Sequence, residues 1–216
     1  MILNNFKKRL FTSLILFFLV LLIFHIKFLF IYSIIVLSVL SILEFLNLTK
    51  RFIKKNFYLT LINILFLIFL IFFDLILVFF YDYFPLKIIL FSLLLCCIAS
   101  DIGGYFFGKT FKGPKLSKIS PNKTIIGAFG SLILSTLVII SIFNFLSIAV
   151  TYKLFLIAIL TSISCQIGDL FFSFLKRKAK IKDTGNFFPG HGGVLDRLDG
   201  IFFGIPIGIL LIIYFF

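Results

Sequence analysis

Acidic residues in the second half of this chain have types and spacing that could bind a metal ion. Asp196 and Asp199 stand three residues apart at the start of the last apolar segment, so both carboxylates would share one helical face. Clustered carboxylate oxygens with a single nearby histidine suit Mg²⁺ far better than zinc. The alternative is that these acids only complement a helix N-terminus and pair with cations such as Arg197.

Asp169 lies within another apolar segment, on a polar stripe with three- and four-residue spacing. This spacing places the stripe on one helical face. Its members are Ser162, Cys165, Gln166, Asp169, Ser173 and Lys176. An ionised carboxylate inside a membrane helix needs a cation, a partner or a water-filled cavity, which favours a functional role for Asp169. For the serine and glutamine residues, joining helices is an equal alternative. If Asp169 is close to Asp196 and Asp199, the three acids suggest a phosphate clamp built from two metals or from one metal and a lysine.

A first basic segment, residues 100–124, contains five lysines and four glycines. Its end, residues 120–124, predicts a turn that starts a helix and leaves free backbone N–H groups beside Lys123, an arrangement that suits phosphate. Asp101 lies near the C-terminal end of an apolar segment. If that segment crosses a membrane, an unpaired carboxylate there is costly. The alternative for this segment is a solvated basic loop.

A second basic segment follows the polar stripe, from Lys176 and Arg177 through Lys182 and Asp183 to the acids at 196 and 199. It also contains His191 between Pro-Gly and Gly-Gly, which places the imidazole on a tight turn. His191 has three open interpretations: a phosphate contact, a proton shuttle or a turn residue only.

Composition identifies the elements that must position these groups. Of the 216 residues, 62% are hydrophobic and 13% are charged, which excludes both a water-soluble globule and a disordered chain. Apolar runs predict about seven membrane-spanning helices, at 10–24, 28–46, 57–80, 86–107, 124–149, 153–175 and 194–216. The expected fold is therefore an all-α polytopic transmembrane bundle.

The distribution of charge predicts the orientation of this bundle. With a cytoplasmic N-terminus, 18 of the 21 Lys and Arg residues fall in inner segments, and both basic segments face the cytoplasm. The net charge of +13 then reflects orientation and contact with anionic lipid headgroups rather than binding to nucleic acid. Basic residues at 7–9 precede an apolar run without a small-residue cleavage site, which predicts an uncleaved anchor.

The distribution of glycine divides the chain into an anchor and a functional region. All 14 glycines lie after residue 102, so irregular, functional backbone is expected in the second half. We therefore expect anchor helices at 1–99 and a catalytic region with two cytoplasmic loops at 100–216. Cys96, Cys97 and Cys165 all lie in apolar runs and are expected to be buried thiols.

Residues 173–199 resemble, position for position, the signature of the phosphatidate cytidylyltransferase family, also called CDP-diacylglycerol synthase. Residues 100–109, 120–124 and 166–170 are similar to that family as well, and Glu44 with Phe45 faintly resembles an acidic and aromatic pair near the end of the second span. The resemblance covers roughly residues 100–200. Two positions depart from it: Ile102 replaces a usual Ser or Thr, and Ile126 replaces a frequent Glu or Gln.

The resemblance implies transfer of a cytidylyl group from CTP to phosphatidate in a bacterial-type inner membrane, with Mg²⁺ required. It implies that the metal is bound by Asp169 and Asp196, with Asp199 as a further or outer ligand. The expected catalytic residues are Asp169, Asp196, Lys182, Asp183 and His191. The expected substrate-binding residues are Asp101, Ser120, Lys123, Thr124, Ser173, Lys176, Arg177 and Arg197. The expected partners are CTP, phosphatidate and membrane lipids, without nucleic acid and with a homodimer left open.

Two alternatives remain at this point. One is a CTP-dependent enzyme acting on another lipid phosphate or a polyprenol phosphate, because the lipid half of the site is only apolar helix surface. The other is a cation transporter with Asp169 lining its pathway. A transporter should carry ionisable residues near the midplane of several spans, whereas only Asp74 lies well inside another span, so transport is disfavoured.

Overall fold

A computed structural model of the chain describes residues 22–117, 119–185, 187 and 192–215. Within these residues, a helical turn at 22–25 precedes the numbered helices. The helices are α1 (Lys27–Lys50), α2 (Asn56–Asp82), α3 (Phe84–Phe111), α4 (Ile125–Phe145), α5 (Tyr152–Lys178), α6 (Leu195–Leu198) and α7 (Ile201–Phe215). An isolated β bridge joins Lys115 and Thr124.

Six helical segments in the described residues are long and apolar enough to cross a membrane: α1 to α5, and α6 with α7 taken together. Their bounds lie within a few residues of the predicted spans, so the expected all-α polytopic bundle is confirmed. The predicted span at 10–24 lies outside the described residues except for its last three positions. The chain is an integral membrane protein.

Local sequence explains where the helices around the first basic segment begin and end. Helix α3 starts after an extended Tyr83 with a proline in its first turn, and it ends at Lys112, whose φ of 42° is left-handed. The helix predicted at 86–107 is therefore confirmed, and it continues four residues further, so the first half of the first basic segment is helical to Phe111. Helix α4 starts at a Thr124 cap, whose Oγ1 accepts a hydrogen bond from the Gly127 N–H at 3.0 Å.

The chain forms two compact units, the first ending at Val39 and the second beginning at Leu40. In the described part of the first unit, large apolar side chains such as Phe28 and Tyr32 are exposed, as expected for helix surface that faces lipid. In the second unit, buried residues such as Leu90, Leu93 and Ile205 form the core of the helical bundle.

Helices α3 and α4 pack unusually close together because glycines face each other across the contact. A Cβ atom added to Gly103 would lie 2.5 Å from the Gly130 carbonyl oxygen, and one added to Gly127 would lie 2.7 Å from the Gly104 carbonyl oxygen. Small residues that let two backbones approach are typical of packing between membrane helices. The expectation that the glycines mark irregular backbone is therefore wrong at these positions, where they permit helix packing.

An aromatic cluster joins α1 and α2 to the C-terminal helices. The Phe45 and Phe66 rings stack with their centroids 4.0 Å apart, and Phe66 also meets Phe202 edge to face with a centroid distance of 6.1 Å.

The three cysteines are free and buried, as expected.

Candidate active site

A cavity of about 430 Å³ lies where α3, α4, α5 and α6 meet the two basic segments. Its polar lining comes from both segments and from the stripe on α5: Ser100, Asp101, Tyr105, Ser120, Asn122, Lys123, Thr124, Ser131, Gln166, Asp169, Lys176, Asp183, Asp196, Arg197 and Asp199. The two segments that the membrane topology assigned to one face thus meet at a single cavity in the described part of the chain.

Asp169 has the cation partner that a membrane carboxylate needs. Its Oδ2 forms an ion pair with Lys123 Nζ, which comes from the first basic segment, 46 positions earlier. Its Oδ1 accepts a longer hydrogen bond of 3.4 Å from Ser173 Oγ, one turn further along α5. The Lys123 and Asp169 side chains are each 27% exposed, so this ion pair is accessible to water in the cavity.

A second lysine contacts both Asp196, in α6, and Asp199, which directly follows α6. Lys176 Nζ is 2.8 Å from Asp196 Oδ1 and 3.7 Å from Asp199 Oδ2. The Asp196 and Asp199 carboxylates therefore share one helical face, as their spacing predicted. The three side chains are only about one-tenth exposed, so this charge cluster is much more enclosed than the Lys123–Asp169 pair.

Asp196 also fixes the backbone around it. Its Oδ2 accepts hydrogen bonds from the Thr184 N–H at 2.8 Å and the Gly193 N–H at 3.0 Å. Asp199 Oδ1 accepts a bond from the adjacent Gly200 N–H at 2.9 Å. Asp196 and Asp199 therefore make the backbone contacts and the ion pairs with a cation that the alternative interpretation expected. They also line the cavity.

The first basic segment folds back against the start of α4, which directs Lys123 into the cavity. The Lys123 N–H donates to the Ser120 carbonyl at 3.1 Å, and the Leu116 N–H donates to the Lys123 carbonyl at 2.8 Å. The predicted turn at 120–124 followed by a helix is therefore confirmed, with Thr124 as the cap.

The polar stripe on α5 both joins helices and lines the cavity. Ser162 and Ser100 share a buried hydrogen bond of 2.8 Å between their hydroxyl groups, and Gln166 Nε2 donates to the Ala128 carbonyl at 3.4 Å. Ser131 Oγ on α4 donates to the Ser100 carbonyl at 2.6 Å. These contacts hold α3, α4 and α5 together, so Ser162 joins helices, Asp169 and Lys176 line the cavity, and Gln166 does both.

Some predicted site residues lie outside the cavity lining. Arg177 is exposed and donates to the Ile181 carbonyl at 3.3 Å, and Lys182 is exposed as well. Ser173 reaches the cavity only through Asp169. His191 lies outside the described residues.

The two departures from the family pattern also lie away from the cavity. The Ile102 side chain is 55% exposed on the outer face of α3. Ile126 packs against Gly113, and neither isoleucine is among the cavity-lining residues. The polar groups lost at these positions are therefore not part of the observed cavity wall.

Two functional candidates were missed by the reasoning from sequence motifs. Glu44 on α1 bonds to the segment that carries Asp196, and the only signal for it was the faint family resemblance. Tyr105 lines the cavity one helical turn after Asp101, and Lys109 Nζ donates to its hydroxyl at 3.1 Å. The i, i+4 spacing of Asp101 and Tyr105 could have identified the tyrosine.

The carboxylates offer hard oxygen ligands of the kind that Mg²⁺ prefers. Among the described residues, no three Asp, Glu, His or Cys side chains are grouped closely enough to form a ready metal site. Instead, Lys123 and Lys176 contact the carboxylates that a divalent cation would use. The donor chemistry therefore fits a hard cation that would bind in exchange for the lysine ammonium groups.

The fold and cavity define an all-α integral membrane protein with a charged cavity at its helix ends. Residues 5–215 match the cytidylyltransferase family, and the chain belongs to that family. It is 42% identical over 112 residues to a phosphatidate cytidylyltransferase of Mycobacterium leprae, covering 51% of this chain and 36% of the relative. Phosphatidate cytidylyltransferases of Helicobacter pylori strain J99 and Bacillus subtilis are 39% identical over 127 residues and 43% identical over 111 residues. These two alignments cover 57% and 50% of this chain, and 46% and 41% of the relatives. The chain thus spans less than half the length of these three relatives.

Proposed function

We propose that the protein transfers a cytidylyl group from CTP to phosphatidate, forming CDP-diacylglycerol and pyrophosphate. The observation that carries this proposal is the convergence of Asp169, Asp196, Asp199 and two lysines in one cavity, in a chain of the cytidylyltransferase family. In this reaction a phosphate oxygen of the lipid attacks the α-phosphorus of CTP. The bond from that phosphorus to the pyrophosphate oxygen then breaks.

The surroundings of the cavity suit one substrate in the bilayer and one in water. On α3, Asp101 and Tyr105 line the cavity, whereas Ile102 and Phe106 are more than half exposed on the outside of the helix. A phosphate group in the cavity would therefore be one helix width from an apolar surface along which acyl chains could lie. The water-accessible Lys123 offers a contact for the nucleotide phosphates.

The charged residues would act mainly by positioning phosphates and neutralising their charge. We propose Asp169, Asp196 and Asp199 as ligands of Mg²⁺, which when bound would neutralise phosphate charge and orient the triphosphate. Lys123 and Lys176 would then be free to contact phosphate oxygens and stabilise the negative charge on the leaving pyrophosphate. The catalytic roles of Lys182 and His191 and the substrate-binding role of Arg177 remain predictions.

We also propose that the cavity faces the cytoplasm of a bacterial-type inner membrane. This orientation is supported by the concentration of Lys and Arg in the segments on the cavity side and by the need for a soluble nucleotide. The division into anchor helices at 1–99 and a catalytic region at 100–216 remains a proposal, as does a homodimer. Membership of the family favours transferase chemistry over cation transport.

The test is a transfer assay on the purified protein in detergent with CTP labelled at its α-phosphate, Mg²⁺ and phosphatidate. We expect the label to enter the lipid phase with release of pyrophosphate, and Asp169→Asn to reduce turnover at least a hundredfold. Asp82→Asn is the matched control, because Asp82 is exposed at the opposite end of the bundle, where α2 ends. It should retain wild-type activity.

Three results would contradict the proposal in different ways. Absence of labelled lipid with phosphatidate would refute the activity, and labelling of a polyprenol phosphate instead would refute the proposed lipid substrate. Full activity of Asp169→Asn would refute the role of the carboxylate.

A further inference from the structure

Glu44, near the C-terminal end of α1, binds the segment that precedes Asp196. Its Oε1 accepts a hydrogen bond from the Val194 N–H at 3.0 Å, and its Oε2 accepts one from the Leu195 N–H at 2.9 Å. Oε2 also accepts a bond of 2.7 Å from the Thr184 hydroxyl. Both oxygens of one carboxylate thus contact a part of the chain that lies 140 to 151 positions later.

These contacts replace a helix cap that the local sequence does not provide. The first N–H groups of a helix have no partner within the helix, and Val194, at the cap position of α6, makes no side-chain hydrogen bond to them. Glu44 supplies the missing acceptor from another helix. Hydrogen bonds to a carboxylate are roughly twice as strong as those between neutral groups, so this cap is a strong one.

The surrounding glycines leave room for the carboxylate. A Cβ atom added to Gly193 would collide with Glu44 Oε2 and Thr184 Oγ1, and one added to Gly185 would lie 2.5 Å from Glu44 Oε1. Among the described glycines, only Gly192 has a positive φ, so a Cβ atom at 185 or 193 would displace the Glu44 carboxylate rather than strain the backbone. Glycine at these two positions therefore leaves room for the Glu44 side chain in its observed position.

The same segment holds the Asp196 carboxylate. Thr184 bonds to Glu44 through its hydroxyl and to Asp196 through its N–H, while Gly193, directly before Val194, donates to Asp196. We infer that Glu44 is a positioning residue that fixes this segment and thereby directs Asp196 toward Lys176 in the cavity. The inferred effect on catalysis rests on the proposed function, whereas the effect on the backbone does not.

Hydrogen exchange measured by mass spectrometry on the purified protein in detergent tests the backbone effect. Glu44→Gln keeps the shape of the side chain but turns one of its two acceptors into a donor. We expect the Val194 and Leu195 amides to exchange at least tenfold faster in this variant. The matched control is Thr49→Val on the same helix, because Thr49 makes a buried 3.0 Å hydrogen bond to Asn63 and does not contact this segment. Exchange at Val194 and Leu195 should stay unchanged in Thr49→Val.

Kinetics test the effect on the site. In Glu44→Gln the Mg²⁺ concentration for half-maximal activity should rise at least fivefold, while KM for phosphatidate stays within twofold. A purely structural loss would reduce the active fraction in both Glu44→Gln and Thr49→Val without changing the Mg²⁺ dependence. Excess Mg²⁺ should therefore restore turnover in Glu44→Gln only.

The possible results separate this inference from the proposed function. Unchanged exchange at Val194 and Leu195 in Glu44→Gln would refute the inference that Glu44 fixes this backbone. Faster exchange with an unchanged Mg²⁺ dependence would refute its role in positioning Asp196. If the wild type transfers no label to phosphatidate, the proposed function fails. Hydrogen exchange alone would then still test whether Glu44 fixes the backbone at Val194 and Leu195. If Glu44→Gln does not fold, Thr184→Val removes one of the three bonds, and a rise in exchange of about threefold would support the inference. No change in that variant would overturn it.

Discussion

Replacing Lys176 with methionine tests how much the fold is stabilised by the contacts of this lysine with Asp196 and Asp199. At an effective dielectric constant of about 20, the distance of 2.8 Å to Asp196 corresponds to roughly 6 kcal/mol of attraction, much of which desolvation offsets. Removing one partner of a buried ion pair typically costs about 3–5 kcal/mol. We expect Lys176→Met to lower the unfolding free energy by about 3 kcal/mol, at the lower end because the cavity admits water.

The assay is equilibrium unfolding in mixed detergent micelles with increasing SDS. Arg177→Met is the matched control, because Arg177 is the next residue but is exposed and, among the described residues, donates its side-chain hydrogen bond to a backbone carbonyl rather than to an acid. Its unfolding free energy should stay within about 0.5 kcal/mol of wild type. Adding Asp196→Asn to Lys176→Met should recover part of the loss, since it removes the carboxylate charge that the first substitution leaves without its cation. The reasoning would be refuted if Lys176→Met and Arg177→Met proved equally stable.

Two further predictions concern α3. Gly103→Ala should lower the unfolding free energy by about 1–3 kcal/mol, because the added Cβ would meet the Gly130 carbonyl of α4; a loss no greater than that of Ile102→Ala in the same unfolding assay would contradict it. Ile102→Ser should leave KM for CTP within twofold of wild type, because residue 102 faces away from the cavity; a clear decrease in KM would show that this residue affects nucleotide binding.

The parts of the fold and site that follow from periodicity were predictable. Apolar runs located the helices, and the three-residue spacing of Asp196 and Asp199 correctly placed both carboxylates on one face. The alternating sides of successive loops also brought the two basic segments together. These predictions succeed because each rests on local geometry or on the parity of membrane crossings.

The contacts between distant segments were not predictable from spacing. The ion pair between Lys123 and Asp169 could only be suggested as a general need for a cation, because the choice among five lysines depends on how the first segment folds against α4. The glycines of α3 were expected to mark irregular backbone, and the last four residues of the helix, 108–111, lie beyond the predicted span. In the structure those glycines are used for contact with a second helix, and this role depends on a partner that periodicity within one helix does not reveal.

The contacts of Glu44 also constrain the order of events during biosynthesis. Its partners are made 140 to 151 residues later, which at about 5–20 residues per second corresponds to a delay of about 7–30 s. During that interval the carboxylate has none of these partners, so it must remain hydrated at the membrane surface. The N–H groups at the start of α6 gain their acceptor only when this part of the chain reaches Glu44. Helix α1, made early in synthesis, therefore acts as a docking point for a helix made much later.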